Sequence, residues 1–208
     1  MEVNARLREV ADYRYTLRRA ATYNPEDKRP IPTFTYQAAV APELVELRTG
    51  LRLDSIAGTG GEVLAILNLL DWIHHLIPHD GNHNNPVVKY AMSMIAACKR
   101  EKRGLNRRGL ATVLNECCQA LGIRSRIVTC LPKDSLKIDQ DCHVINAVYT
   151  STLKKWLWID PTFAAYEMDE QGTMLGIAEV RDRLNRNLPL ILNPDANWNN
   201  RTQQKKEY

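Results

Sequence analysis

"GLNRRGLATVLNECCQALGIRSRIVTCL", Gly104 to Leu131, contains the change of pattern that decides the fold. Its first part carries apolar residues at helical spacing: Leu110, Val113, Leu114, Cys117, Cys118 and Leu121. Gly104 breaks what precedes, and the spacing predicts a helix over about Arg107 to Leu121. Gly122 supplies the left-handed residue that ends it. From Ser125 the apolar positions alternate, so Ser125 to Leu131 reads as a strand. Arg107 and Arg108 stand at the helix's positive end, where acidic groups or a thiolate are favoured. An arginine there needs a reason from outside the helix.

On the C-terminal side the alternation continues. "HVINAVYT" (His143 to Thr150) and "KKWLWID" (Lys154 to Asp160) read as strands, with "KDSLKIDQD" as a polar loop before them. "MDEQGT" is a turn and Ala178 to Arg186 a short charged helix; beyond "LPLILNP" the signal fades. On the N-terminal side the pattern is helical. Helices are expected over 2–22, within Pro42 to Leu53, over Glu62 to Leu76 and over Val87 to Lys102. The loops between them are "YNPEDKRPIPTF", "SIAGTGGE" and "HDGNHNNP". Helices first and an antiparallel meander after make an α+β fold. The whole chain, 1–208, reads as one domain. Residues 1–103 form a helical half, 104–166 the core motif helix and strands, and 167–208 a C-terminal helix and tail.

With 208 residues, 44% of them hydrophobic, the chain can bury a full core. Charge is mixed, 28 Lys+Arg against 24 Asp+Glu. Lys99, Arg100, Lys102, Arg103, Arg107 and Arg108 cluster, but without the interleaved aromatics of a nucleic-acid surface. They read first as a solvated helix end and loop, and second as an anion or nucleic-acid site. Neither a nucleic-acid nor a membrane partner is expected, since no apolar run approaches the ~18 residues of a membrane span. "MEVNARLREVADYRY" has no apolar leader core. That suits a cytoplasmic chain if it is complete, and an extracytoplasmic one if a leader was removed. Five cysteines without a repeated spacing, and no C-x-x-C pair, argue against a disulfide scaffold or a zinc knuckle. His75, His79 and His83 are spaced by four, yet Pro78 and Gly81 interrupt any shared helical face. No metal and no cofactor are expected.

The strands bring two polar residues together. If the hairpin is symmetric about Ser151 and Thr152, Thr150 faces Leu153 and His143 faces Asp160. Directly opposed residues share a face, about 4.5–5.5 Å apart at Cβ. The carboxylate would then fix the imidazole's tautomer and orientation. An ordinary cross-strand polar pair has the same spacing, so the spacing alone leaves both readings open.

The motifs "GLATVLNECCQALGIRSRIVTC", "DCHVINAVY" and "KKWLWIDPTFAAY" occur in order over about Gly104 to Tyr166. Together they resemble the transglutaminase-like superfamily, within the papain-like cysteine-enzyme fold. "LDSIAG", "DWIHHLIPHDG" and "RGL" look like that family's upstream helical part. The resemblance implies a Cys nucleophile at the helix start, with His143 as general base and Asp160 as its orienter. It also implies attack of a thiolate on an amide carbonyl, then transfer of the acyl group to an amine or to water. Family members carry the nucleophile about fifteen residues before the Gly of Gly-Ile. They also carry it four before the small residue of the helix's first turns. Counting back from Gly122 and from Ala111 reaches Arg107 both times: "LNRR" stands where the family has "LNCR".

No other cysteine is well placed. Cys118 lies eleven residues on, on nearly the same helical face but about 16 Å along the axis. Cys117 points elsewhere, and both read as core residues. Cys98 reads as helix packing, Cys130 as approaching the sheet's core, and Cys142 as turned from His143 by strand alternation. Arg107 cannot substitute, because a guanidinium offers no nucleophilic lone pair. Trp156 and Trp158 are candidates for the cleft wall or for sheet packing. Asn106 and Gly104 are candidates to line the oxyanion region. The reading is a transglutaminase-like domain impaired by Arg107, with a peptide, protein or glycan-peptide ligand in its cleft. The alternatives are an active cysteine protease- or amidase-like enzyme whose natural residue 107 is Cys, and a non-catalytic interaction domain.

Overall fold

In a computed structural model, residues 33–130, 142–199 and 201–202 are described, with scattered positions between 15 and 30. The helix expected over 2–22 falls largely outside them, as do residues 131–141, where a polar loop is expected, and residues 203–208. The fold is α+β. Helices α1 (Pro42–Gly50), α2 (Leu53–Ala57), α3 (Glu62–Leu76), α4 (Ala91–Glu101) and α5 (Arg107–Ala120) come first. Strands β1 (Ser125–Cys130), β2 (His143–Thr150), β3 (Lys155–Asp160) and β4 (Ala165–Met168) follow. Then come α6 (Ile177–Arg186), β5 (Ile191–Leu192), β6 (Asn197–Trp198) and β7 (Arg201–Thr202).

α5 is the centre of the molecule. It packs against α1, α3 and α4 and against β1 and β2. Leu110, Val113, Leu114, Cys117 and Cys118 are each 0–1% exposed along it. Each large apolar side chain buried to that degree contributes on the order of 1.5–3 kcal/mol. The helix ends as its sequence indicates. Gly122 takes φ 78°, and the amides of Gly122 and Ile123 bond back to Gln119 and Cys118.

Three boundaries differ from the sequence reading. Two helices occupy the stretch from Pro42, because Arg52 adopts the left-handed region and breaks it. α4 begins at Ala91 rather than near Val87. The Glu116 carboxylate of α5 accepts the Ala91 N–H at 2.7 Å and fixes that start, while Val87 stays 93% exposed. The region after α6 is more than a tail. β5 adds a fifth strand beside β4, and β6 pairs with β7 as a separate hairpin.

The five-stranded sheet is an antiparallel meander in the order β1-β2-β3-β4-β5. Its β2–β3 register corrects the symmetric hairpin. Thr150 pairs with Lys155, and Asn146 with Ile159. Ser151–Lys154 form the turn, with Lys154 at φ 53°. The register is therefore displaced by two residues, and His143 and Asp160 are not directly opposed. An even displacement preserves the face, so the two are diagonal neighbours. Alternation puts His143, Trp158 and Asp160 on one face. Asn146, Val148, Leu157 and Ile159, each 0% exposed, lie on the other. That second face meets α5, where Asn146 Nδ2 donates to the Ala111 carbonyl at 3.0 Å.

One carboxylate joins the helical half to the turn. Glu62 Oε2, on the first residue of α3, accepts from Thr150 Oγ1, Ser151 N, Ser151 Oγ and Thr152 N, at 2.6–3.2 Å.

Candidate functional site

The start of α5 is built from two asparagines. Asn106 is the N-cap, and its Oδ1 accepts from the amides of Arg108 and Gly109. Asn85 Nδ2 donates to the same oxygen at 2.6 Å, while Asn85 Oδ1 accepts the Asn106 N–H at 3.0 Å. This reciprocal pair satisfies the helix's first donors without a negative charge. Asn106 Oδ1 is thus committed to capping. Gly104 serves by lacking a side chain: a Cβ there would lie 2.1 Å from the Pro78 carbonyl oxygen. That close approach lets residues 78–80 run beside 104–105, with Leu105 N–H donating to Pro78 O and Asp80 N–H to Leu105 O. The short bridge sets His79 beside Leu105, two residues before Arg107.

Arg107 is the first residue of α5. Its Nη1 donates to the Cys142 carbonyl at 3.0 Å, so it reaches past the start of β2 to the residue preceding His143. Arg108 turns away and donates to Thr129 Oγ1 at 3.0 Å.

His143 and Asp160 are in contact: His143 Nε2 hydrogen-bonds Asp160 Oδ2. Asp160 is 0% exposed and His143 28%. Asp160 Oδ1 accepts the Thr162 N–H at 2.8 Å, so both carboxylate oxygens are engaged. The Phe163 ring lies 5.7 Å from the imidazole. With Nε2 committed to Asp160, Nδ1 is the ring nitrogen left for a reacting group. Buried His74 holds the next residue from α3, its Nδ1 lying 3.3 Å from the Pro161 carbonyl.

The thiols fall where a nucleophile is not needed, with one exception in position. Cys117 and Cys118 are fully buried. Burial pushes the Cys118 thiol up to about 12, and burial with the neighbouring Cys118 and Glu116 pushes Cys117 up as well. Cys98 is 7% exposed and is also raised by burial. Cys130, expected to approach the core, is exposed and stands directly across from His143 in the β1–β2 ladder. Partial burial, then the Asp160 carboxylate and Cys142, push its thiol upward, opposite to what a nucleophilic thiol requires.

The remaining candidates separate. Trp156 pairs with Tyr149 across the hairpin, with the Arg126 guanidinium 4.2 Å from its ring, well along the strand from Asp160. Trp158 faces Ala147. His75 bonds the Asp71 carbonyl and His83 bonds Asp80, so the three spaced histidines do not converge. Among the described residues no group of three His, Cys, Asp or Glu side chains is arranged to hold a metal. A hollow of about 370 Å³ lined by Leu76, Pro78, Asp80, Cys98, Lys102 and Gly104 includes neither Arg107, His143 nor Asp160.

His79, named in the sequence only as one of three spaced histidines, bridges Leu105 just before α5. Its backbone is gripped on both sides by Asn199, which accepts the His79 N–H at 2.8 Å and donates to the His79 carbonyl at 2.9 Å. Trp198 Nε1 donates to its Nδ1 at 3.1 Å. No local pattern could signal these bonds, which span about 120 residues of sequence.

Residues 53–161, just over half of the chain, match the family model of the transglutaminase-like superfamily. No curated protein matches the chain significantly in sequence. Among solved structures, the chain is similar to a candidate cysteine protease from Cytophaga hutchinsonii, at 19% identity and a TM-score of 0.43. The similarity covers 72% of this chain and 46% of that one, so the chain spans less than half of that protein's length.

Proposed function

The chain belongs to the transglutaminase-like superfamily, and on that footing we propose that it keeps the family's acyl-binding cleft while its covalent step is disabled. Arg107 occupies the nucleophile's position, and the cleft receives a peptide, protein or glycan-peptide segment without forming an acyl-enzyme. One observation carries this reading. The first residue of α5, bonded to the carbonyl next to His143, is an arginine. A guanidinium has no lone pair for attack on a carbonyl. The thiol across from His143, Cys130, is pushed toward its protonated form, so it does not supply the missing thiolate.

The engaged His143–Asp160 pair favours a second reading, that the natural residue 107 is Cys and the protein is a working acyltransferase or amidase. Both readings turn on one substitution. Arg107→Cys, in a background with Cys130→Ser and Cys142→Ser, is expected to react with iodoacetamide at about pH 6 at least ~10 times faster than a free thiol. His143→Ala should abolish that advantage. The chain carrying Arg107 should turn over no amide but should gain thermal stability on binding peptide. Turnover by the Arg107 chain equal to that of Arg107→Cys overturns the impaired-enzyme reading. Labelling of Arg107→Cys no faster than a free thiol overturns the cleft itself.

A further inference from the structure

β1 is an edge of the five-stranded sheet: β2 covers one side, and no described strand pairs with the other. The ladder fixes which backbone groups this leaves open. Tyr149 N–H donates to the Arg124 carbonyl at 2.8 Å, so these two residues form a hydrogen-bonded pair. In an antiparallel ladder, bonded and non-bonded pairs alternate. The unbroken register therefore turns the amides and carbonyls of Arg126, Val128 and Cys130 toward β2, and those of Ser125, Ile127 and Thr129 outward. Ser125 is buried, but Ile127 and Thr129 are half-buried. Among the described residues no hydrogen bond reaches their outward amides or carbonyls. Proteins usually blunt such an edge with a proline, a bulge, a lysine or a covering element. β1 has no proline, no lysine and no break in register. Its one charge, Arg126, is drawn off between the Phe34 and Trp156 rings, its guanidinium carbon 4.2 Å from each ring centre.

We infer that the β1 edge docks an extended acidic peptide, which joins the sheet as an antiparallel strand bonded to Ile127 and Thr129. Charge selects that occupant. Arg124 stands exposed just before β1, over the Tyr149 ring. Arg108 is exposed at the other end, bonded to Thr129 Oγ1. Neither guanidinium meets a carboxylate among the described residues, and β1 itself carries no acid. A second copy paired edge to edge would bring arginines against arginines, and like charge opposes that pairing. Arg124 and Thr129 are five residues apart and so point to opposite faces. A docked strand with acidic residues at the same spacing therefore presents one to each arginine, with an apolar side chain beside Ile127. This surface does not depend on the cleft reading.

The probe is acetyl-Glu-Thr-Val-Thr-Thr-Glu-amide, and its control of equal composition is acetyl-Glu-Glu-Thr-Val-Thr-Thr-amide. Amide hydrogen exchange reads the docking. In the free chain Ile127 and Thr129 should exchange much faster than Val128, whose amide bonds β2. With the probe at about ten times its Kd, both should slow about tenfold, and Val128 should not change. Arg108→Glu with Arg124→Glu should weaken the probe by about tenfold. The same pair should transfer binding to the peptide with lysine at both ends, a swap that damage to the fold cannot produce. Ile127→Pro removes one outward N–H, which an edge strand tolerates, and should abolish the slowing at Thr129. Protection of Ile127 and Thr129 in the free chain, or a dimer in sedimentation that Ile127→Pro splits, overturns the inference. Equal binding of the control peptide, binding that survives Ile127→Pro, or no binding by the probe overturns it as well.

Discussion

Arg107 and Asn106 are neighbours with opposite effects on α5. Asn106 neutralises the helix's first donors with a carboxamide oxygen, whereas Arg107 sets a cation at the positive end of the helix. Arg107 is tolerated because its side chain leaves the helix axis and finds the Cys142 carbonyl. Removing the cap exposes the difference. Asn106→Ala should cost about 0.5–2 kcal/mol, read from urea unfolding, and should also leave Asn85 Nδ2 without its Asn106 acceptor, while Asn85 Oδ1 keeps the backbone N–H of residue 106. Asn106→Asp should recover most of that stability, because an acidic cap suits both the helix end and Arg107. A result with Asp worse than Ala would show that the cap's neutral hydrogen bonds, not its charge, dominate.

At the scale of elements, the hairpin β2–β3 shows which part of the site could be read in advance. The alternation of His143 to Thr150 and of the Trp-rich strand is visible in the sequence, as is the shared parity of His143 and Asp160. The register is not. It depends on a four-residue turn with Lys154 in the left-handed region, gripped from another element by Glu62. The contact between His143 and Asp160 arises diagonally because the displacement is even; a displacement of one residue would have put them on opposite faces. The start of α4 was hidden for a similar reason, since it is fixed by Glu116 of α5 rather than by its own residues. Glu62 is testable by pH. Its partial burial raises its pKa, but bonds from Thr150, Ser151 and Thr152 outweigh this, so its folded pKa lies below the ordinary 4.5. A depressed carboxylate stabilises the fold above its unfolded pKa, and that stabilisation is lost as pH falls through the folded value. Glu62→Gln should therefore cost about 1–2 kcal/mol at neutral pH. The gap from the unsubstituted chain should close as pH is lowered from about 4.5, read as denaturation midpoints. A gap that stays constant with pH would assign the brace to shape rather than charge.

For the whole molecule, the candidate site is assembled from distant parts of the chain. α5 gives Arg107, β2 and β3 give His143 and Asp160, and the 78–80 segment gives His79, held by residues beyond β5. Asn199→Gly tests that last attachment cleanly, because glycine also accepts the φ of 47° found there. It should expose the His79 amide to hydrogen exchange and cost about 1 kcal/mol, while the β2 amides stay protected. Loss of protection throughout β2 would make the C-terminal hairpin part of the core rather than a clasp. The clasp also has a consequence in time. During synthesis the helices and first strands emerge early enough to collapse around α5, but His79 waits for Asn199, some 120 residues later. A nascent chain that has not yet exposed Ala196 can form the His143–Asp160 pair with His79 still untethered. The order of translation therefore leaves the attachment of the 78–80 segment beside α5 to be finished last.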